Sequence, residues 1–180
     1  MKNQIKVFSP ATVANVSCGY DAMGFALETL GDDMIFTKTN SKDVVISKIE
    51  GANLPYEANK NVAGVVALLM LKDSKANFGL DIQIFKNFKP GSGLGSSAAS
   101  ASGTAFAVNQ LLGNKYSNLD VSFFLHISTT LLAKSFVPFP PSNQCVQRLA
   151  VTPSLAHCFW IILTSLSVSV MKWLIATITS

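Results

Sequence analysis

Residues 89–100 read Lys-Pro-Gly-Ser-Gly-Leu-Gly-Ser-Ser-Ala-Ala-Ser, with glycines at 91, 93 and 95, two serines, and then small helix-compatible residues. Upstream, Phe78 to Phe85 alternates apolar and polar like a strand and ends in Lys86. Downstream, Ala98 to Leu112 reads as a helix stopped by Gly113. The glycine stretch therefore joins a strand to a helix N-terminus. Such a terminus carries unpaired N–H groups and the positive end of the helix dipole. Glycines let the backbone approach a ligand without Cβ collisions. Together these features make a phosphate cradle. The stretch is not a P-loop of the Gly-Lys-Ser type, since no lysine follows Gly95. Nor does its glycine spacing fit the dinucleotide fingerprint. A flexible Gly/Ser linker is the plain alternative, and the flanking strand and helix weigh against it.

Before this stretch the chain is strand-rich. Ile5 to Phe8 alternates as a short strand that Ser9-Pro10 is expected to end. Ala11 to Leu27 begins strand-like, turns at Gly19 and resumes an apolar run at Met23, with Gly24 marking a bulge or close backbone approach. Asn15 and Asp21 are the polar groups here that can make several directed hydrogen bonds. Either they serve turns or they hold a ligand. Asp33 to Thr39 and Asp43 to Ile49 alternate, and Asn40-Ser41-Lys42 between them is a hairpin signal. Val62 to Lys72 has helical apolar spacing, and Asn59 or Asn61 can cap it. In the helix after the loop, Ala101, Ala105 and Ala107 keep the element slim, while Phe106, Val108 and Leu111 supply packing. Asn118-Leu119-Asp120 reads as the cap of a third helix. This order of elements points to an α+β layer pair.

The two ends of the chain differ in composition. Residues 1–120 hold 11 Lys, no Arg and 10 Asp or Glu, whereas residues 121–180 hold Lys134, Arg148 and Lys172 and no acid. The formal charge of +4 thus comes mostly from the last 60 residues. No basic cluster exists, so nucleic acid is not an expected partner. Cys18, Cys145 and Cys158 are odd in number and lack metal spacing, and the first residues lack an apolar signal core. A cytoplasmic protein is expected. Leu149 to Met171 has no charged side chain, but Pro153, His157 and many Ser and Thr dilute it, so no membrane partner is expected. The abrupt loss of acids, with an excess of Ser, Leu and Phe, is the signature of an out-of-frame translation product. A divergent tail is the competing account.

Pro90-Gly91-Ser92-Gly93-Leu94-Gly95-Ser96-Ser97-Ala98-Ala99 resembles the phosphate loop of the GHMP kinases. Ser9 to Asn15 and Gly19 to Leu27 resemble the opening motif of the homoserine kinases among them. The resemblance covers residue 5 to about residue 120. It implies a GHMP-kinase N-terminal ATP-binding domain over 1–120, partial and similar to the second domain of ribosomal protein S5, with 121–180 as an atypical apolar tail. It implies ATP-dependent phosphorylation of the hydroxyl of L-homoserine in threonine biosynthesis, with ATP and Mg2+ as cofactors and a homodimer as an option for the full-length form. Carried onto this chain, it places Pro90, Gly91, Ser92, Gly93, Leu94, Gly95, Ser96 and Ser97 on the phosphates and Ser97 also on the metal. Asn15 and Asp21 fall on the substrate and Asn61 on the nucleotide base, although capping is the stronger reading of Asn61. The family's third helix carries a metal-holding glutamate, and residues 121–132 here offer no acid. A non-catalytic nucleotide-binding fragment, or a GHMP kinase acting on another alcohol, are the alternatives. The expected outcome for these 180 residues alone is no turnover.

Overall fold

The computed structural model describes residues 3–14, 16 and 23–125. Their elements are β1 (Gln4–Ala14), β2 (Gly24–Thr39), β3 (Val44–Glu50), α1 (Val62–Ser74), β4 (Gly79–Phe85) and α2 (Ser96–Leu111). A third helix, α3, is described over 118–125. The strands form one sheet in the order β1-β2-β4-β3. β1 with β2 and β2 with β4 are antiparallel, and β3 with β4 is parallel.

Alternation decides which residues meet the helices. In β4, Leu80, Ile82 and Ile84 are fully buried, as are Met34 and Phe36 in β2. Strand side chains at every second position share a face. They form one core with Val66, Ala67 and Met70 of α1 and with Ala101, Ala105, Phe106, Val108 and Leu111 of α2. Ala101, Ala105 and Ala107 of α2 are buried, as expected for a helix lying close to a sheet. The core continues into α3 through Val121 and Leu125, so the first residues after Asp120 pack with the domain. Each fully buried aliphatic side chain contributes about 1.5–3 kcal/mol.

Two sequence expectations are overturned. Ser9-Pro10 does not end β1. The strand runs on to Ala14, with a register shift between Pro10 and Thr12. Proline is tolerated there because β1 is an edge strand, and an irregularity absorbs its missing donor. The expected β2–β3 hairpin also does not form. β4 lies between the two strands, pairing Phe36 with Ile82 on one side and Ile46 with Ile82 on the other. A central β4 buries its aliphatic face completely, which a two-stranded hairpin could not offer.

Candidate functional site: the glycine loop and its base

The loop leaves β4 at Phe85 and enters α2 at Ser96. Gly91, Gly93 and Gly95 have φ of 81°, 79° and 69°, all left-handed. Their alternate spacing thus corresponds to a backbone that other residues adopt only at a cost. A Cβ at Gly91 or Gly93 would meet nothing within 4 Å, whereas one at Gly95 would collide with Thr12 Oγ1. The loop is also held to β1, where Thr12 N–H donates to Leu94 O at 2.9 Å.

Gly95 is the N-cap of α2. No side chain caps this helix, and no acid stands in its first turn. Among the described residues, the N–H groups of that turn and the positive dipole end therefore have no capping side chain and no first-turn acid to satisfy them. The two serines that follow are not equivalent. Ser97 is exposed, while Ser96 is buried. The Ser96 hydroxyl accepts from Lys86 Nζ at 2.8 Å. The Ser96 hydroxyl is thus engaged inside the domain, which leaves its backbone N–H as the group it can offer at the helix start.

Behind the loop lies a group of side chains that sequence reasoning missed. Lys86 Nζ donates to Asp32 Oδ2 at 2.6 Å, Ser96 Oγ and Ser100 Oγ at 2.8 Å each, and Ser96 O at 3.2 Å. The two charged side chains are 2% and 0% exposed. Asp32 Oδ1 accepts from Asn87 N–H at 3.0 Å, and Asn87 Nδ2 donates to Gly31 O at 2.8 Å. Lys86 was legible as a cation before the loop, but its partner is 54 residues away. No local pattern announces such a pair.

Beside the loop is an open cleft of about 550 Å³ between Gly51–Asn53 and residues 86–90. Asn61 caps α1. Its Oδ1 accepts from Ala63 N–H at 3.1 Å, and its Nδ2 donates to Pro55 O at 2.9 Å. The residue is 5% exposed, so both ends of its amide serve the helix start. Asn15 and Asp21 lie outside the described residues, as does the chain beyond residue 125. Thr12, which anchors the loop, is three residues before Asn15. Among the described residues no group of three or more His, Cys, Asp or Glu could hold a metal ion. Among them too, no helix is long and apolar enough to cross a membrane.

Residues 60–130 match the GHMP kinases N terminal domain family. The chain is 43% identical over 119 residues to a homoserine kinase of Methanococcus maripaludis, covering 66% of this chain and 40% of the relative. The crystal structure of homoserine kinase from Cytophaga hutchinsonii superposes with a TM-score of 0.70 at 43% identity, covering 74% of this chain and 43% of that one. A mevalonate kinase of Methanococcus jannaschii shares the fold at a TM-score of 0.56 and 16% identity, over 72% of this chain and 47% of that one. The chain thus spans about two fifths of the length of the curated relatives it matches.

Proposed function

We propose that this chain, whose first two thirds belong to the GHMP kinase family, supplies the nucleotide-binding part of an ATP-dependent kinase acting on the hydroxyl of L-homoserine. The product is O-phospho-L-homoserine, on the way to threonine. The observation that carries the nucleotide reading is the start of α2, an uncapped, acid-free helix terminus entered through three left-handed glycines. Phosphoryl transfer needs positioning and charge stabilisation more than covalent chemistry, so no dedicated base is assigned.

In this reading Pro90 to Ser97 hold the phosphates through backbone N–H groups and the exposed Ser97 hydroxyl. The open Cβ side of Gly91 and Gly93 is what a closely approached anion requires. The cleft between Gly51–Asn53 and residues 86–90 takes the nucleoside. Ser97 is the residue here suited to a magnesium ion, which supplies neutralisation of phosphate charge. Asp21 binds the substrate ammonium and Asn15 its hydroxyl or carboxylate, as those side-chain chemistries allow. Homoserine as the acceptor rests on the 43% identity to homoserine kinases.

The test is MgATP binding by calorimetry together with homoserine-dependent ADP release. Binding with homoserine-dependent release supports the full reading. In a turning-over enzyme, Asp21→Asn should then raise KM for homoserine about tenfold to a hundredfold while leaving that for ATP nearly unchanged. A second reading, nucleotide binding without turnover, is favoured by the acid-free sequence after Asp120. It is selected by MgATP binding without homoserine-dependent release. Absence of MgATP binding defeats both.

A further inference from the structure

We infer that the buried Asp32–Lys86 pair is a positioning clamp across the base of the glycine loop, and that Lys86 is not itself a phosphate ligand. The inference rests on the phosphate reading of the loop and deepens it.

The pair's burial is a costly arrangement. Removing two charges from water is repaid only by close geometry and full hydrogen bonding, and such pairs add little net stability over apolar replacements. A role beyond holding the sheet together is therefore the better account. The geometry states what that role is. Lys86 has three N–H donors and meets four acceptors, all inside the domain. Three of those acceptors belong to Ser96 and Ser100, one turn apart on the same face of α2. The ammonium's donors are used up and its charge is matched by Asp32, so nothing of it remains for an incoming anion.

The clamp grips both ends of the loop. At the entrance, Asp32 Oδ1 accepts from Asn87 N–H, and Asn87 Nδ2 donates to Gly31 O. At the exit, Lys86 holds the first turn of α2. Between them, Cβ atoms at Gly91 or Gly93 would find nothing within 4 Å, so the tip lacks packing partners on that side. Apart from the Thr12–Leu94 bond to β1 and the packing of Leu94 beside Ala11, the order of the loop comes from its base. A loop held in its binding shape beforehand loses less conformational freedom when it takes a ligand.

The test uses the full 180-residue chain and two variants. Ser100→Ala removes one tether, and Asp32→Asn with Lys86→Met removes both charges together, leaving no lone buried ion. Three quantities are read: amide exchange over residues 90–98 without nucleotide, thermal midpoint, and calorimetric affinity for MgATP and for adenosine. In Ser100→Ala, exchange over 90–98 should rise while that of α1 stays fixed. MgATP affinity should fall about tenfold, with adenosine affinity held. The double variant should show the same pattern more strongly, with a thermal midpoint close to that of the unaltered chain. Unchanged loop exchange in both variants overturns the clamp, and so does an equal loss of adenosine and MgATP affinity. An unaltered chain that binds no MgATP overturns the phosphate reading, and loop exchange still decides the clamp on its own.

Discussion

The starts of α1 and α2 differ in backbone, with an extended cap residue at Asn61 and a left-handed one at Gly95, and they are finished in opposite ways. At α1, Asn61 closes the terminus by accepting from Ala63 N–H and reaching back to Pro55 O. The preceding segment packs so closely that a Cβ at Gly64 would strike Ala58 O. At α2, the cap position holds Gly95, which has no side chain to offer, and the first turn carries no acid. A domain selected only for stability would close both ends, since a side-chain cap is worth about 1 kcal/mol. Leaving α2 open, while a buried ion pair fixes its first turn from behind, is the arrangement expected of a terminus kept for an anion.

The most drastic way to break this contrast is Gly95→Val. Its φ of 69° is strained for a β-branched residue, and the new Cβ collides with Thr12 Oγ1. We expect a stability loss of about 2–4 kcal/mol and at least about a hundredfold weaker MgATP binding. The cause lies in the backbone itself and in the contact with β1 that holds Leu94. Pairing Gly95→Ala with Thr12→Ala removes the collision and leaves the dihedral strain, so it should recover part of the affinity. Thermal melts and calorimetry read both. If Gly95→Val binds MgATP as tightly as the unaltered chain, the loop is not a cradle.

The next change closes the comparison from the other side. Asn61→Ala should cost about 1–2 kcal/mol of stability, through the lost cap and the lost bond to Pro55, with MgATP affinity within about twofold. A tenfold loss of affinity at unchanged stability would instead place Asn61 against the nucleotide.

How far these features are legible in the sequence follows from how local they are. The loop and the Asn61 cap are read from a few adjacent residues, because turn and cap chemistry acts over one to four positions. The alternation of β4 and the small face of α2 are likewise readable, and Leu80, Ile82, Ile84 and the three alanines are indeed core. Strand order is not readable in this way. Asn40-Ser41-Lys42 has hairpin chemistry, yet β3 pairs with a strand that begins some 30 residues later in the chain. The Asp32–Lys86 pair was invisible for the same reason, and with it the inward turn of the Ser96 hydroxyl. Ser9-Pro10 misled because proline's meaning depends on whether its strand is an edge, which only the assembled sheet decides.

The third helix start supplies the finest test of the contrast, because it is closed by a charge where α1 is closed by a neutral amide. The cap is Ser117, one residue before the expected Asn118-Leu119-Asp120. Ser117 Oγ and N–H donate to Asp120 Oδ2 at 2.6 and 3.0 Å, and Asp120 N–H donates back to Ser117 Oγ at 3.3 Å. This is a capping box with aspartate in the glutamate position. The Ser117 hydroxyl, then its backbone N–H, hold the Asp120 carboxyl below its ordinary value of 3.8. A carboxyl with a lowered folded pKa releases its proton more readily in the folded state. Its contribution to stability is therefore present above the unfolded value and is lost as pH falls through the folded one. Asp120 is fully exposed, so the effect is small and is better read at the site than in a melt. A carbon-detected NMR titration should give an Asp120 midpoint below 3.8 that returns toward 3.8 in Ser117→Ala. Over the same range the Ala63 amide, bonded to a side chain that does not titrate, should not shift. An Asp120 midpoint indifferent to Ser117→Ala would mean that this terminus is open like that of α2, and that an unclosed helix start does not by itself single out the glycine loop.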